Sequence, residues 1–216
     1  MGASPRLDAR VICRHHNLSI IIWSMCLVML GVHLSLKSMS SQSTSGEGSA
    51  RILVVGSAGF FGYHLTSFMS SERMTGKISN VVAMDSFSAT FYSPSYKFQR
   101  AWQLLLSSHV DIIHRDACED GGQYLLDLIS NERISHVVYL GLESVKRENG
   151  AECMTIILKV LRDHVSVNNY GPVFAFTYPR GQDSSTDERI KKLCKTFKDV
   201  SIIGVHLPNS TLLGSW

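Results

Sequence analysis

The sequence predicts an α/β protein built on a parallel sheet. Three observations carry that expectation. Six short runs rich in Val and Ile recur after residue 50. Stretches long enough for helices separate them. A glycine-spaced turn, Gly56, Gly59 and Gly62, closes the first run.

The six runs are 51–55 (RILVV), 79–84 (SNVVAM), 110–114 (VDIIH), 135–140 (SHVVYL), 172–177 (PVFAFT) and 200–206 (VSIIGVH). They are almost continuously apolar rather than alternating, the signature of strands covered on both faces. The expected helices lie between them, over 60–74, 95–108, 121–132, 151–166 and 185–198. The last carries Ile190, Leu193 and Phe197 at helical spacing, and Ser185 to Glu188 has the form of a capping box. Strand and helix in regular alternation imply a parallel sheet with helices on both faces. Six strands with five crossovers is the count of a Rossmann-type, doubly wound sheet.

The first fifty residues differ in kind. Leu18 to Leu36 contains no Asp, Glu, Lys or Arg, and about twenty apolar residues span a bilayer. His33 and scattered serines make it a less than ideal span. Arg6, Arg10 and Arg14 precede it, whereas only Lys37 follows before a long uncharged stretch. That asymmetry places residues 1–17 as a cytosolic basic tail, 18–36 as a transmembrane anchor and the body in a lumen. Ser38-Met39-Ser40 offers a cleaved signal peptide as the rival reading; the length of the apolar run favours an uncleaved anchor. Residues 37–50 are rich in Ser and Gly and read as a flexible stem. The folded body is then 51–216. The layout is that of a single-pass, type II protein of the Golgi or ER membrane. Asn209-Ser210-Thr211 is a weak glycosylation signal in the same sense.

The net charge of +3 implies no nucleic-acid partner. Arg189, Lys191, Lys192, Lys195 and Lys198 read as a solvated helix face. Cys118, Cys153 and Cys194 are the body's cysteines; an odd number without motif spacing does not indicate a disulfide framework. His109, His114 and Cys118 are close in sequence but lack a second ligand pair, so zinc is not expected.

The glycine turn has a chemical reading. Gly56 permits a tight turn after the strand, Gly59 lets the backbone approach a pyrophosphate, and Gly62 lets the helix pack on the strand. Phosphates would rest on N–H groups at the helix start, which also favours negative charge. Asp85, ending the second run, can accept hydrogen bonds from the adenosine ribose, which favours NAD over NADP. Asp116, past the third run, would meet the adenine end. The competing account is a close-packed turn without a ligand.

Gly56-Ser57-Ala58-Gly59-Phe60-Phe61-Gly62 after a strand resembles the extended short-chain dehydrogenase/reductase family, the NAD-dependent epimerases and dehydratases of nucleotide sugars. The stretch 83–105, with Asp85, Phe87, Tyr92, Pro94, Ser95, Lys97 and Arg100, resembles UDP-glucuronate 4-epimerases most closely, in which a basic helix follows. The resemblance covers 51–206 and is strongest up to 105. It implies NAD as cofactor, with Ala58, Phe60 and Phe61 completing its cradle beside Gly56, Gly59, Gly62, Asp85 and Asp116. It further implies a UDP-glucuronate-like nucleotide sugar as ligand. Plant members are anchored Golgi proteins.

The family's catalysis uses a Tyr-x-x-x-Lys pair and a Ser or Thr. The lysine makes a phenol of ordinary pKa about 10 useful as a base near neutrality. None of the seven tyrosines, at 63, 92, 96, 124, 139, 170 and 178, has Lys four residues on. Alignment of the last helix puts Asp183 and Asp187 near the Tyr and Lys places, where carboxylates would oppose a phenolate. Thr177 holds the Ser/Thr place, next to Tyr178. The family's loop after the fourth strand keeps only Val145 and Arg147 of its pattern. Family members continue with a substrate-binding stretch beyond the point reached at Trp216. A substrate would therefore be held with another chain, in a homo- or hetero-oligomer. Catalysis is expected to be impaired, with no catalytic residue assigned. The alternative is a non-catalytic dinucleotide-binding partner, regulatory or structural, of a lumenal sugar-nucleotide enzyme.

Overall fold

A computed structural model describes residues 50–71, 78–88, 93–106, 110–140, 149–168, 170–179 and 184–207. Expectations that fall elsewhere lie outside the described residues: the tail, anchor and stem up to residue 49, Tyr92, His109, Val145, Arg147, Asp183 and the Asn209 sequon. Among the described residues no helix is long and apolar enough to cross a membrane.

The strands are β1 (Ala50–Val55), β2 (Ile78–Asp85), β3 (Val110–His114), β4 (His136–Tyr139), β5 (Val173–Pro179) and β6 (Ile202–Leu207). Between them run α1 (Phe60–Met69), α2 (Pro94–Leu105), α3 (Gln123–Asn131), α4 (Asn149–Asn168) and α5 (Ser184–Thr196). A 3-10 turn, Glu119–Gly122, leads into α3. Every neighbouring pair is parallel, in the order β3-β2-β1-β4-β5-β6. This is the doubly wound order expected from the alternation of elements.

All six strands and five helices fall where the sequence puts them, with shifts of a few residues at their ends. Ala50, assigned to the stem, is the first residue of β1. The helix expected over 60–74 closes earlier, where the Ser70 and Ser71 hydroxyls donate to the carbonyls of Ser67 and Phe68. Such local bonds compete with helix propagation. At the start of α3 the expectation of helix from 121 fails because Asp120, Gly121 and Gly122 have positive φ. A Cβ on Gly122 would lie 2.7 Å from the Val160 side chain, so this turn is pressed against α4.

The apolar runs divide between two faces. Ile52, Val54, Val81, Ala83 and Val138 pack with Leu65 and Met69 of α1 and Leu104 of α2. Leu53, Val82, Val137, Phe174 and Phe176 pack with Leu125 and Ile129 of α3, Ile157 and Leu161 of α4, and Ile190 of α5. Alternate residues of one strand thus serve opposite cores, which is why the strands read as unbroken apolar runs.

The cysteine expectation requires correction. Cys118 and Cys153 form a disulfide, with Cα atoms 5.4 Å apart, while Cys194 is free. The pair is 35 residues apart in sequence and meets only because β4 carries the chain back across the sheet to the start of α4. Spacing rules have no access to a pairing made by the fold.

One buried polar group sits at the opposite end of β4. His136 is 2% exposed, and burial lowers its pKa to about 4. Its Nδ1 lies 2.9 Å from the Ser135 hydroxyl, which also bonds the Arg51 main chain. An unfolded histidine titrates near pH 6.5, so between that pH and about 4 only the unfolded chain takes up the proton. Stability from this residue is whole above pH 6.5 and falls by about 3 kcal/mol as pH drops through that window. Urea unfolding at neutral and acidic pH should show this acid sensitivity, and His136→Asn should flatten it relative to wild type. Equal slopes in the two proteins would show that burial of His136 is not its source.

Candidate functional site

The strand order reverses between β1 and β4, a parallel pair whose last paired residues are Val55 and Tyr139. Open α/β sheets place ligands at the carboxyl end of the strands beside such a reversal. The glycine turn stands there, joining β1 to α1.

Its main chain is organised from within. The N–H groups of Gly56 and Ser57 donate to the Met84 carbonyl at 2.9 and 3.2 Å, and that of Gly59 to the Gly56 carbonyl at 3.2 Å. The Ala58 N–H donates to Asp85 Oδ2 at 3.0 Å. The amides from residue 56 to 59, which the sequence assigns to a diphosphate, therefore have partners already. The next three differ. Phe60, Phe61 and Gly62 open α1, and their N–H groups meet no acceptor among the described residues. The first amides of a helix have no intrahelical partner, and here the Gly59 cap offers no side chain and the first turn no acid. The result is three convergent donors and an uncompensated helix dipole, a setting suited to an anion.

The three glycines separate by role. Gly56 has φ of 86°, a left-handed value that favours glycine. A Cβ on Gly62 would lie 2.1 Å from the Gly56 carbonyl oxygen, so that position is set by helix-on-turn packing. Gly59 has φ −63° and ψ 169°, open to any residue. Its Cβ would meet only the Gly56 oxygen, at 3.2 Å. Its conformation does not require glycine, and the one contact a Cβ would make is a tight one, with a main-chain oxygen that would have to give way.

Asp85 is 4% exposed. Its Oδ2 accepts from Ala58, and its Oδ1 accepts from the Phe87 N–H at 2.7 Å and from Lys97 Nζ at 3.2 Å. A carboxylate offers about four acceptor positions, so three are in use and one remains. Phe87 is held at φ 54°, uncommon for an aromatic residue. Its ring stacks on Phe98, centroids 4.7 Å apart, and meets His114 edge-on at 4.8 Å.

Lys97 and Arg100, which the sequence places in the family's pattern after the second strand, contact Asp85 and the glycine turn respectively. Lys97 is buried against Asp85. Arg100 Nη1 donates to the Ala58 carbonyl at 3.2 Å, with its guanidinium 5.7 Å from the ring centres of both Phe60 and Tyr96. The signal was present: Lys97, Ala101 and Leu104 repeat at helical spacing, placing the lysine on the buried stripe of α2.

On the β4 side, Asp116 is exposed and its Oδ1 accepts the Cys118 N–H at 2.9 Å. Its charge, after burial, raises the pKa of the Tyr139 phenol well above the ordinary value. Tyr139 is thus held as a neutral phenol. Asp116 lies within ligand distance of Cys118 and Cys153; with the disulfide closed, those sulfurs offer no thiolate to a metal. His114 is not part of that group, and its Nε2 lies 3.3 Å from the Ser86 carbonyl. Thr177 is buried in β5. The side chains of Tyr178 and Asp187 lie outside the described residues.

No family model matches the chain and no curated protein matches it.

The Asp85–Lys97 contact can be tested through stability. Removing one member of a buried ion pair costs about 3–5 kcal/mol, because the other charge stays buried alone. Asp85→Asn should lower the melting temperature by roughly 6–20 °C for a chain of this size. Asp85→Asn with Lys97→Met should recover part of the loss. A double variant as unstable as the sum of the single ones would rule out the pairing.

Proposed function

We propose that this chain binds NAD at the β1–α1 turn and is a nucleotide-sugar epimerase-like protein impaired in catalysis. The observation that carries the reading is the set of three unpartnered amides at Phe60, Phe61 and Gly62, opening a helix at the reversal point of a doubly wound sheet. The diphosphate would rest on these amides beside Gly59. The adenosine ribose would take the remaining acceptor position of Asp85, and the adenine would lie toward Asp116. Bound NAD would supply a hydride acceptor; the protein side of the chemistry is a base for the sugar hydroxyl.

That base is what the chain lacks. No tyrosine is followed by lysine four residues on. Tyr139, at the rim of the crevice, is buried with its pKa raised, the reverse of what a phenolate base needs. UDP-glucuronate, or a nucleotide sugar like it, is the ligand the family resemblance suggests. The second reading, a non-catalytic dinucleotide-binding partner of a lumenal sugar-nucleotide enzyme, draws on these same missing groups. A Golgi or ER lumen is the proposed compartment, with the body carried on a membrane anchor at 18–36. The Cys118–Cys153 disulfide suits an oxidising compartment.

Titration of the full chain with NAD tests the binding. At a hundredfold excess over the dissociation constant, linkage predicts about 2.7 kcal/mol of stabilisation, read as a rise of roughly 5–10 °C in melting temperature. Gly59→Val should keep the fold and lose this shift, whereas Gly62→Ala should destabilise the protein with or without NAD. An unchanged NAD shift in Gly59→Val would make the glycines purely architectural. UDP-glucuronate should not be converted to UDP-galacturonate; measurable turnover would overturn the impairment.

A further inference from the structure

Three ligand-bearing side chains meet between the end of β3 and the start of α4. Asp116 lies two residues past β3, Cys118 immediately precedes the 3-10 turn, and Cys153 stands near the start of α4. One carboxylate oxygen and the two sulfurs all lie within 4.8 Å of one another. The disulfide accounts for the two sulfurs but not for the acid beside them. A closed disulfide is neutral and gains nothing from a carboxylate. Opened to thiolates, the pair would join Asp116 in a cluster of negative groups, which a cation between them stabilises.

We infer that Asp116, Cys118 and Cys153 form a redox-gated site for a thiophilic divalent cation, zinc: shut to the ion as the disulfide, open to it once reduced. The donor set selects the metal. Two thiolates and a carboxylate suit zinc, whereas magnesium and calcium take oxygen ligands in larger number. The size fits as well. Zinc bonds set neighbouring ligand atoms of a tetrahedron about 3.4–3.8 Å apart. The Cα atoms of the two cysteines are 5.4 Å apart, which leaves their sulfurs room to rotate to that separation. Asp116 is already oriented, because its Oδ1 accepts the Cys118 N–H at 2.9 Å. Both sulfurs are half-buried and pack on their inner side against the core of α3 and α4, while Asp116 is exposed. The apolar flank excludes water from one side. The open flank admits the ion and the reductant and leaves a fourth position to water.

Opening the disulfide takes two electrons and two protons. A cellular dithiol, or a pair of glutathione-type monothiols, supplies both and leaves as its own disulfide. Zinc then displaces the two thiol protons, forming two Zn–S bonds and one Zn–O bond. The site owes nothing to the glycine turn, so the inference stands apart from dinucleotide binding.

The full chain in mild detergent tests the inference, with a trialkylphosphine as reductant so that no added thiol competes for the metal. Cobalt(II) is the probe. Thiolate ligation gives it a charge-transfer band, tetrahedral geometry gives it visible d–d bands, and zinc titrated against it should erase both. The bands are expected in the reduced chain and not in the oxidised one. Cys118→Ser should abolish them, and Cys194→Ser, at the free cysteine, should leave them unchanged. Asp116→Asn keeps the disulfide and should weaken zinc binding at least about tenfold, since loss of a bond that merely orients a ligand already costs that much. Stability gives a second readout. Reduction frees a loop of 35 residues and should lower the melting temperature by roughly 8–15 °C. Zinc should restore part of this in wild type and none in Cys118→Ser; should the reduced chain unfold, zinc should refold it. A reduced chain that takes up neither cobalt nor zinc overturns the inference. So does binding of equal strength in the oxidised chain or in Asp116→Asn, or binding lost in Cys194→Ser, each of which would place the metal elsewhere.

Discussion

The carboxylate of Asp85 is the constraint on which the site depends. One oxygen holds the Ala58 amide; the other holds the Phe87 amide and the Lys97 ammonium. The first bond fixes the turn between β1 and α1. The second turns the chain after β2 through a left-handed residue, and the third draws α2 onto the same point. Three segments far apart in sequence meet on one buried group. A buried charge with these partners is tolerated because each lone pair in use has a donor and the net charge is cancelled by Lys97. The free amides at the start of α1 are a consequence. Asp85 takes up the donor at residue 58, so the turn itself is rigid, and the unsatisfied donors begin at Phe60.

The fold was legible because burial on both faces leaves a local mark. Each strand except the edges must supply apolar side chains to two cores, and that demand is written along a few consecutive residues. The helices were legible for the same reason, through stripes such as Ile190, Leu193 and Phe197. The disulfide was not, since Cys118 and Cys153 become neighbours only through the order of the strands. The role of Lys97 was half legible. Its stripe with Ala101 and Leu104 marks it as inward-facing, but a buried lysine makes physical sense only once Asp85 is known to lie opposite. The glycine turn was read as a cradle from residue 56 onward; the hydrogen bonds within it narrow the available donors to three.

Gly59 separates the two accounts of that turn. Sequence spacing cannot distinguish a glycine needed by the chain from one needed by a ligand, because both give the same letter. Geometry can. Gly56 has a left-handed backbone and Gly62 has no room for a methyl group, so an empty turn would still need both. At Gly59 the backbone is ordinary, and a Cβ would meet the Gly56 carbonyl oxygen at 3.2 Å, a tight contact that a small shift of the turn could relieve. Gly59 is therefore the position at which a substitution tells the two apart.

Holding a dinucleotide and using it make different demands on a protein. Holding it takes amides, a dipole and a shaped turn, all of which come from main chain; the start of α1 offers groups of this kind. Using it for epimerisation takes a base whose proton affinity is matched to neutral pH. Tyr139 shows why the two separate. Tyr139 lies in the last position of β4, where the apolar core of α3 and α4 surrounds it and the Asp116 carboxylate adds negative potential. Both effects disfavour a phenolate, and no lysine stands four residues on to offset them. The same burial that lets β4 anchor the sheet therefore removes its tyrosine from proton transfer.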